Sequence, residues 1–366
     1  MKILWFSWKD KRHPLAGGAE VVTDAILSRL VKDGHEATLL TSGYAGASGE
    51  DMVNGYRVIR VGGRASVYWH AFRYYRVHLK GVHDLVVEEI NTIPFFTPWY
   101  VQGKRALFFH QLAREIWFYQ IFFPLSLAGY CIEPFYLRLL SKERVITISE
   151  STKRDLARYG FKKENISIIS EGIDIKPVER LESIKKTAIP TVLSLGAVRP
   201  MKRTLDIVRG FEIIKAHTPE VKLVIAGDMA GKYGKKVLRE IANSNYKDDI
   251  EVLGKVSRQE KIRLMQEAHV LAVASLKEGW GLVVTEANSQ GTPAVVYDVD
   301  GLRDCVRDGV TGLHTKENTP QALAEAIMKM LEEKEAHETM RQNAWEWSKT
   351  ITFEKQYQNF LEIIKK

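Results

Sequence analysis

Short apolar runs alternate with longer amphipathic stretches throughout the first half of the chain. Between the first two runs, Ala19–Lys32 repeats apolar side chains at the spacing of a helix that buries one face. The runs themselves have the length and composition of buried strands: Ile3–Ser7, Ala37–Thr41, Arg57–Val61, Asp84–Glu88, Ala106–Phe109, Val145–Ile148 and Ser167–Ile169. Strands separated by helices favour parallel pairing, so the pattern predicts an α/β fold.

The alternation stops at a polar stretch, Asp174–Ile189, and then begins again. Further strands are predicted after it: Thr191–Leu195, Lys222–Ala226, Ile250–Leu253, Val270–Ala274 and Ala294–Tyr297. Two such series predict two Rossmann-like, doubly wound lobes, residues 1–175 and 176–350, that face a central cleft. Ligands of these sheets bind beyond the carboxyl ends of the strands, so functional residues are expected in the loops that follow them.

The composition is that of a soluble globular protein, with 366 residues of which 45% are hydrophobic and 27% charged. The two cysteines, Cys131 and Cys305, fall in different predicted lobes, which argues against a disulfide framework and for a reducing compartment. The first residues are interpreted as a core strand rather than a signal peptide, because a charged, glycine-containing loop follows a short apolar run. A cytoplasmic location is therefore expected.

The formal net charge of +8 is unevenly distributed, since residues 1–180 hold 25 Lys and Arg against 19 Asp and Glu. A basic half suits nucleic acid or an anionic membrane. The chain has no nucleic-acid-binding motif, so no nucleic-acid partner is expected. Two explanations remain, a peripheral contact with an anionic membrane and a basic surface that is only solvated.

Two segments bear on the membrane hypothesis. Residues 116–132 form a run of 17 without a charge, interrupted by Pro124 and Gly129. A spanning helix would split the sheet of the first lobe, so buried helices are preferred over a membrane-touching or lipid-acceptor surface, and both over a transmembrane helix. The aromatic and basic run 68–76 predicts an amphipathic helix, either packed on the sheet, which is preferred, or lying at a lipid interface.

Residues 275–287 hold the strongest chemical signal in the chain. They follow the predicted buried strand Val270–Ala274 and lead into a predicted helix, Leu282–Gln290, with Gly291 as its C-terminal cap. The first amides of such a helix, here those of Leu282 and Val283, lack internal acceptors and lie at the positive end of the helix dipole. This arrangement predicts a phosphate site.

Two acids bracket that helix start. Glu278 lies in the turn and Glu286 lies one turn into the helix, with Gly279 and Gly281 among the seven residues between them. A carboxylate accepts two hydrogen bonds side by side, which suits the vicinal hydroxyls of a hexose or a ribose. A sugar nucleotide offers hydroxyls, a diphosphate and hydroxyls in that order, so it is the ligand that fits this segment.

The two glutamates resemble the E-x7-E signature of the retaining family-4 glycosyltransferases, which have the GT-B fold. Nearly the whole chain shares the resemblance, through blocks in the order of that family: Gly17–Glu20, His110, Ile148–Ser151, Glu171–Asp174, Gly196–Lys202 and Gly291–Val295. The resemblance implies an acceptor-side first lobe, completed by residues 351–366 crossing back to it, and a second lobe that binds the donor.

The resemblance also implies roles for single residues. Lys202 matches the family's lysine that stabilises the leaving diphosphate, while the family's arginine position is Ala197 here, so Arg199 or Arg203 is the candidate replacement. Gly196 begins that turn. In the first lobe, Gly17 and Gly18 are expected to let the backbone approach a ligand, and His110 to position the transferred sugar or the acceptor.

The implied reaction is retaining transfer of a hexose-type sugar from a nucleotide-diphosphate sugar to an acceptor hydroxyl, on a lipid-linked or cell-envelope glycan. It needs no cofactor, and Asp298-Val299-Asp300 is not expected to bind a metal, because lysine and arginine supply the positive charge. The enzyme is expected in the cytoplasm, with a peripheral contact at the cytoplasmic face of the membrane as an option. The alternatives are a nucleotide-sugar epimerase and a non-catalytic nucleotide-sugar binding protein.

Overall fold

The computed structural model describes residues 1–365, and these divide into two compact units. The first unit contains Met1–Gly172 and the segment that starts at Phe353, and the second contains Ile173–Thr352. Each unit is an α/β lobe built on one sheet. Lys366, the last residue of the segment expected to cross back, lies outside the described residues.

The sheet of the first unit has eight strands in the order β3-β4-β2-β1-β5-β6-β7-β8. The strands are β1 Lys2–Phe6, β2 Glu36–Thr41, β3 Glu50–Val53, β4 Tyr56–Arg60, β5 Leu85–Ile90, β6 Arg105–Phe109, β7 Val145–Thr147 and β8 Ile166–Ile168. All pair in parallel except β3, which runs antiparallel to β4. The helices of this part of the chain are α1 Gly18–Lys32, α2 Val67–Tyr74, α3 Trp117–Gln120, α4 Leu125–Leu140 and α5 Glu150–Arg158.

The sheet of the second unit has six parallel strands in the order β11-β10-β9-β12-β13-β14. They are β9 Thr191–Leu195, β10 Lys222–Ala226, β11 Ile250–Gly254, β12 Val270–Val273, β13 Ala294–Val296 and β14 Gly312–His314. The helices are α6 Thr204–His217, α7 Gly231–Asn243, α8 Arg258–Glu267, α9 Leu282–Ser289, α10 Leu302–Cys305, α11 Pro320–Glu332 and α12 Lys334–Ser348. The last helix, α13 Phe353–Lys365, belongs to the first unit.

Both sheets are doubly wound, and each reverses its strand order at one central strand. In the first unit β1 lies between β2 and β5, and in the second β9 lies between β10 and β12. The loops after β1 and β9 are therefore at the points where sheets of this kind bind ligands. The loop after β1 leads to Gly17, and the loop after β9 contains Gly196 and Lys202.

Alternate residues of the central strands pack on opposite faces of the second sheet. Leu223 and Ile225 of β10 join the core under α6, α7 and α11, whereas Val224 and Ala226 join the core under α8 and α9. Strands that are buried on both faces are continuously apolar. This burial explains why the predicted strands were recognisable as apolar runs, and each of them is present.

Two strands have no counterpart in the sequence prediction. Strand β3 is a charged, mostly solvent-facing edge strand that pairs with β4 through the turn Asn54-Gly55, where both residues have positive φ. Strand β14 has only three residues. Neither has the long apolar run that identified the other strands, and β3 makes the first sheet mixed rather than wholly parallel.

The polar stretch 174–189 is a packed part of the second unit and not a loose connection. The Val178 amide donates to the Ser289 carbonyl at 2.9 Å, and Arg341 donates to the Leu181 carbonyl at 2.9 Å. Lys186, which is partly buried, donates to the carbonyls of Ala268 and Gly291 at 2.7 Å each. Residues of this stretch therefore make hydrogen bonds with backbone carbonyls at the ends of helices and strands.

The preference for buried helices in 116–132 is wrong. The segment forms α3 and the start of α4, but most of its large apolar side chains are exposed to solvent. Helix α2 and the π-helical turn that follows it, Tyr75–Leu79, do cover the sheet through Val67, Ala71 and Tyr75. Within residues 1–365, the helices are too short or too polar to cross a bilayer.

Candidate active site

The turn between β12 and α9 is held close to the body of the second unit by glycines. Gly281 caps α9 with a positive φ of 102°, and a Cβ atom there would lie 2.8 Å from Cys305 Sγ. Gly301 also has a positive φ, and its Cβ would lie 2.1 Å from the Glu278 carbonyl oxygen. Only glycine fits such close approaches. The Glu278 turn is therefore rigidly positioned at the end of β12.

The structure brings two of the predicted catalytic residues into contact, one from this turn and one from the loop after β9. Lys202, in the loop after β9, donates a hydrogen bond to Glu278 Oε1. Ser275 Oγ donates to the same carboxylate oxygen at 2.6 Å. The two loops are also joined by the Leu276 amide, which donates to the Met201 carbonyl at 2.8 Å. A fixed carboxylate and a fixed ammonium group thus lie together at the carboxyl end of the sheet.

Glu286 forms a second ion pair on the same helix. Its Oε2 lies 2.6 Å from Lys261 Nζ of α8, and both side chains are mostly buried. The pairing with Lys261 was not anticipated, since one lysine in a helix has no sequence signal. The pair leaves Glu286 Oε1 with no hydrogen-bond partner among residues 1–365, so this carboxylate has acceptor capacity for a hydroxyl.

The N-terminus of α9 has the free donors that a phosphate site requires. The Val284 amide donates to the Gly281 carbonyl at 2.9 Å. The amides of Leu282 and Val283 make no hydrogen bond within the described residues. Gly279 lies in the turn just before them, between the two acids. The donors point out of a helix that starts beside the Lys202–Glu278 pair.

The arginines near Lys202 differ in their surroundings. Arg199 is exposed and forms no ion pair within the described part of the chain. Arg203 lies over the Tyr297 ring and 3.6 Å from Asp206. Gly196, at the start of this loop, has a positive φ of 133° and packs against Gly227, where a side chain would collide with the Gly196 carbonyl. The structure does not bring Arg199 to Glu278.

The first unit has its own cluster, at the loop that joins β1 to α1. Gly17 has extended backbone dihedrals, and a Cβ atom there would meet only Glu20 Oε2, at 3.7 Å. The Gly17 amide donates to that oxygen at 2.5 Å, and Lys9 Nζ lies 3.1 Å from Glu20 Oε1. Gly18 is the first residue of α1. Space beside Gly17 is consistent with the expected close approach of a ligand.

His110, directly after β6, is buried beside Glu89 of β5. Its Nε2 lies 3.4 Å from Glu89 Oε1. The other oxygen of Glu89 accepts from Trp5 Nε1 at 2.9 Å and from Thr23 Oγ1 at 2.7 Å. Burial alone would lower the pKa of His110, but the hydrogen bond and charge of Glu89 outweigh it and raise that pKa. The cluster therefore favours a charged imidazole.

Two other parts of the first unit support this cluster. Thr152 Oγ1 donates to the His110 carbonyl at 3.1 Å and receives a hydrogen bond from Ser149 Oγ at 2.9 Å, which gives the Ile148–Ser151 block a structural role. Glu171 is buried near His110, and burial raises the pKa of Glu171 to about 7. Glu89 was not among the predicted site residues, although two adjacent acids within the otherwise apolar β5 are a visible signal.

Asp298 and Asp300 are engaged by one arginine. Arg303 Nε lies 2.5 Å from Asp298 Oδ1, and Arg303 Nη1 lies 3.1 Å from Asp300 Oδ1. Across residues 1–365, no group of three His, Cys, Asp or Glu side chains has the arrangement of a metal site.

Two cavities, of about 330 and 430 Å³, open at the amino ends of the strands of the second and first sheets. None of the predicted site residues lines either cavity.

Comparison with known families matches both halves of the chain. Residues 16–176 match the family described as glycosyltransferase family 4, and residues 177–347 match the family described as glycosyl transferases group 1. An uncharacterized glycosyltransferase of Methanocaldococcus jannaschii is 34% identical over 163 residues, which cover 44% of each chain. The chain spans about half the length of the curated relatives it matches.

Solved structures match the chain from end to end. Sucrose-phosphate synthase from Thermosynechococcus elongatus aligns with a TM-score of 0.79 at 18% identity, covering 100% of this chain and 98% of that one. HepE of Anabaena in complex with UDP-glucose aligns with a TM-score of 0.74 at 17% identity, covering 100% and 99%. These likenesses confirm the predicted GT-B fold.

Proposed function

We propose, because this chain belongs to the family-4 glycosyltransferases, that it moves a hexose-type sugar from a nucleotide-diphosphate sugar to an acceptor hydroxyl, with retention of anomeric configuration. The observation that supports this most is the contact between Lys202 and Glu278 beside the free amides of α9. The contact places a carboxylate that can accept hydrogen bonds from sugar hydroxyls next to N–H groups that can donate hydrogen bonds to a diphosphate. A structure similar to this chain was solved with UDP-glucose bound.

In the proposed site, the positive groups stabilise the departing diphosphate. Lys202 has three N–H donors, of which Glu278 uses one, so the ammonium group is free to bind phosphate oxygens as well. The amides of Leu282 and Val283 add the positive end of the helix dipole. With these charges in place the reaction needs no metal, and activity in the presence of EDTA should equal activity without it.

Glu278 is proposed to hold hydroxyls of the transferred sugar rather than to attack it. Its carboxylate already accepts hydrogen bonds from Lys202 and Ser275, which fixes its orientation. In a retaining reaction without an enzyme nucleophile, the acceptor hydroxyl attacks from the face that the diphosphate leaves, and a phosphate oxygen takes the proton. The anomeric configuration of the product, measured by proton NMR, tests this: an inverted product refutes retention.

Glu286, further along α9, is proposed to bind the ribose of the donor through its free carboxylate oxygen. In the first unit, His110 is proposed to position the sugar or acceptor by hydrogen bonding, since the His110 ring lies directly after β6 with its Nε2 3.4 Å from Glu89 Oε1. The acceptor is proposed to be a lipid-linked or cell-envelope glycan. An exposed apolar surface of the first unit supports a lipid-borne acceptor.

A thermal-shift screen against UDP, GDP, ADP and dTDP tests donor binding directly. The nucleotide that binds should raise the melting temperature, because a ligand that binds only the folded state stabilises it. Transfer is then assayed with the sugars of that nucleotide. If none of the nucleotides raises the melting temperature, the donor hypothesis is refuted.

Two other functions predict different products. A nucleotide-sugar epimerase would convert or release the donor when no acceptor is present, whereas a transferase should leave most of it intact. A non-catalytic binding protein would be stabilised by the nucleotide and would leave the donor unchanged with every acceptor. Product analysis with and without an acceptor therefore separates the three.

A further inference from the structure

Helix α4 exposes apolar side chains where a surface helix normally exposes polar ones. Its large apolar residues Ile132, Phe135 and Leu139, which are three, four and seven apart, are all exposed. The helix buries Tyr136, Leu137 and Leu140 near its C-terminus, and the other residues that it buries, Ser126 and Glu133, are polar. A helix on the surface of a globular protein usually has one apolar face, which is buried, and a polar face toward solvent. The outer face of α4 is therefore built to contact something other than water.

The turn before α4 extends this face with aromatic residues. Phe122 and Phe123 are 72% and 74% exposed, the highest values among the large hydrophobic residues of the segment. We define the apolar ridge as Phe118, Tyr119, Phe122, Phe123, Leu125, Leu127, Ile132, Phe135 and Leu139, all of which are exposed. Exposed apolar surface of this kind marks an interaction site.

The inner face of α4 is locked, so the apolar ridge cannot turn inward. The buried Glu133 carboxylate accepts hydrogen bonds from the Ala113 amide at 2.8 Å, the Arg114 amide at 2.6 Å and Trp117 Nε1 at 3.0 Å. Gly129, one turn earlier, leaves room for the Trp117 ring, since a Cβ atom there would lie 2.4 Å from it. Rotation of the helix would leave a buried carboxylate unpaired.

Helix α2, which carries exposed cations, is linked through aromatic contacts to the buried side of α4. Tyr68 of α2 packs on Phe95 with ring centroids 4.8 Å apart, and the next residue, Phe96, contacts Tyr136 of α4 at 6.4 Å. Helix α2 and the turn after it expose Arg73, Arg76 and Lys80. Arg73, Arg76 and Lys80 form no ion pair among residues 1–365, whereas Arg57 and Arg60 on β4 are paired with acids.

We propose that the apolar ridge and the α2 cations together bind an anionic lipid bilayer as a monotopic surface. The ridge would enter the boundary between headgroups and acyl chains, while Arg73, Arg76 and Lys80 contact anionic headgroups. Charge selects this occupant over a second copy of the chain, because residues 1–180 carry more Lys and Arg than Asp and Glu, which an anionic surface complements and an identical basic surface does not. The inference goes beyond the proposed sugar transfer and is tested without donor or acceptor.

The test is co-sedimentation of the full chain with large vesicles of phosphatidylcholine alone or mixed with phosphatidylglycerol. Wild type should bind the mixed vesicles and, more weakly, the neutral ones. Phe122→Ser with Phe123→Ser should reduce binding to both by roughly tenfold or more, because apolar insertion is lost. The matched control is Leu238→Ser with Val310→Ser, two exposed apolar residues of the second unit, which should bind as wild type does.

The charge component is tested with Arg73→Glu and Arg76→Glu together. This variant should lose binding to the mixed vesicles by roughly tenfold or more and keep the weak binding to neutral ones. Its control, Lys235→Glu with Lys236→Glu on the exposed face of α7, should be unaffected. All the substituted side chains are exposed, and unchanged melting temperatures verify that the variants fold.

Several outcomes would overturn the proposal. They are wild-type binding to neither vesicle, equal losses in the control variants, or ridge variants that bind as well as wild type. A concentration-dependent dimer in solution that the Phe122 and Phe123 substitutions dissolve would identify a second copy as the occupant instead. A protein that binds vesicles but transfers no sugar would refute the proposed reaction and leave this surface intact.

Discussion

The residues of the two candidate clusters are held in opposite ways, although both clusters lie at the carboxyl ends of parallel strands. In the second unit, the Lys202 and Glu278 side chains are 38% and 16% exposed and meet through two adjoining loops. In the first unit, the His110 and Glu89 side chains are 9% and 0% exposed. The contrast teaches that one group is available to a ligand at little cost in stability, while the other is bound up with the folding of its lobe.

The physical reason is solvation. A partly exposed ion pair adds only about 0–1 kcal/mol to stability, so its residues are free to be selected for chemistry. A buried carboxylate must be paired and hydrogen-bonded, and Glu89 has partners on β1, α1 and the residue after β6. Substitutions in the second-unit pair should therefore lower activity and spare stability, whereas substitution of Glu89 should lower stability.

The largest effect is expected at the second-unit pair. Lys202→Ala or Glu278→Ala should lower sugar transfer by about 100- to 1,000-fold or more, because fixed charge on the leaving group or the sugar is lost. The melting temperature should hardly change. Steady-state transfer and thermal melting are measured together, with Lys235→Ala as a control for loss of an exposed lysine. Near-wild-type turnover in either variant would contradict the assigned roles.

The next effect is on stability, at Glu89. Glu89→Ala leaves Trp5 Nε1 and the Thr23 hydroxyl without their buried acceptor and removes the carboxylate that pairs with the His110 ring. The free energy of unfolding should fall by about 3–5 kcal/mol, measured by urea denaturation. Glu50→Ala, which removes an exposed acid paired with Arg57 in the same unit, is the control and should cost far less. Equally small losses of unfolding free energy in Glu89→Ala and Glu50→Ala would show that the first-unit cluster does not stabilise its lobe.

Substitution of Glu171 should increase the free energy of unfolding, in contrast to substitution of Glu89, and the increase should depend on pH. Its pKa is about 7 in the folded protein against 4.5 for an ordinary glutamate, because burial disfavours the charge. The unfolded state therefore ionises first, and the cost to stability grows as pH rises from 4.5 and is complete above about 7. Glu171→Gln removes this cost and should stabilise the protein by about 3 kcal/mol near pH 8.

The same variant should have no such advantage near pH 4, where the carboxyl is protonated in both states. Urea denaturation at the two pH values measures the difference, with the exposed Glu164→Gln as control. A gain of equal size at both pH values would show that ionisation is not the cause.

The smallest effect is expected at Glu286. Glu286→Ala should weaken nucleotide binding about tenfold, or 1.4 kcal/mol, because hydrogen bonds to the ribose hydroxyls are lost. Isothermal titration with the nucleotide found in the thermal-shift screen measures this. Glu260→Ala, which removes a partly exposed acid of α8 paired with Arg263, serves as the control. An unchanged dissociation constant for Glu286→Ala would exclude the ribose role.

Local patterns made part of this architecture predictable. The buried parallel strands appear as apolar runs, and the Glu278–Glu286 segment appears as a strand, a glycine turn and a helix start, because both depend on neighbours within about ten residues. Strand β3 was missed because its residues face solvent at the sheet edge. Lys261 was missed because it contacts Glu286 across two helices, α8 and α9, and no local sequence pattern shows that these helices pack together.

The amino-acid sequence alone determined the α/β class, the two series of strands and the glycine turn that carries Glu278, since backbone geometry and burial are encoded locally. Tertiary structure decided which charges meet: Lys202 with Glu278, Lys261 with Glu286, and His110 with Glu89. It also decided that α4 exposes Ile132, Phe135 and Leu139, because the hydrogen bonds of Glu133 orient the helix and hydrophobicity alone does not. Side-chain partners come from distant segments, and only folding brings those segments together.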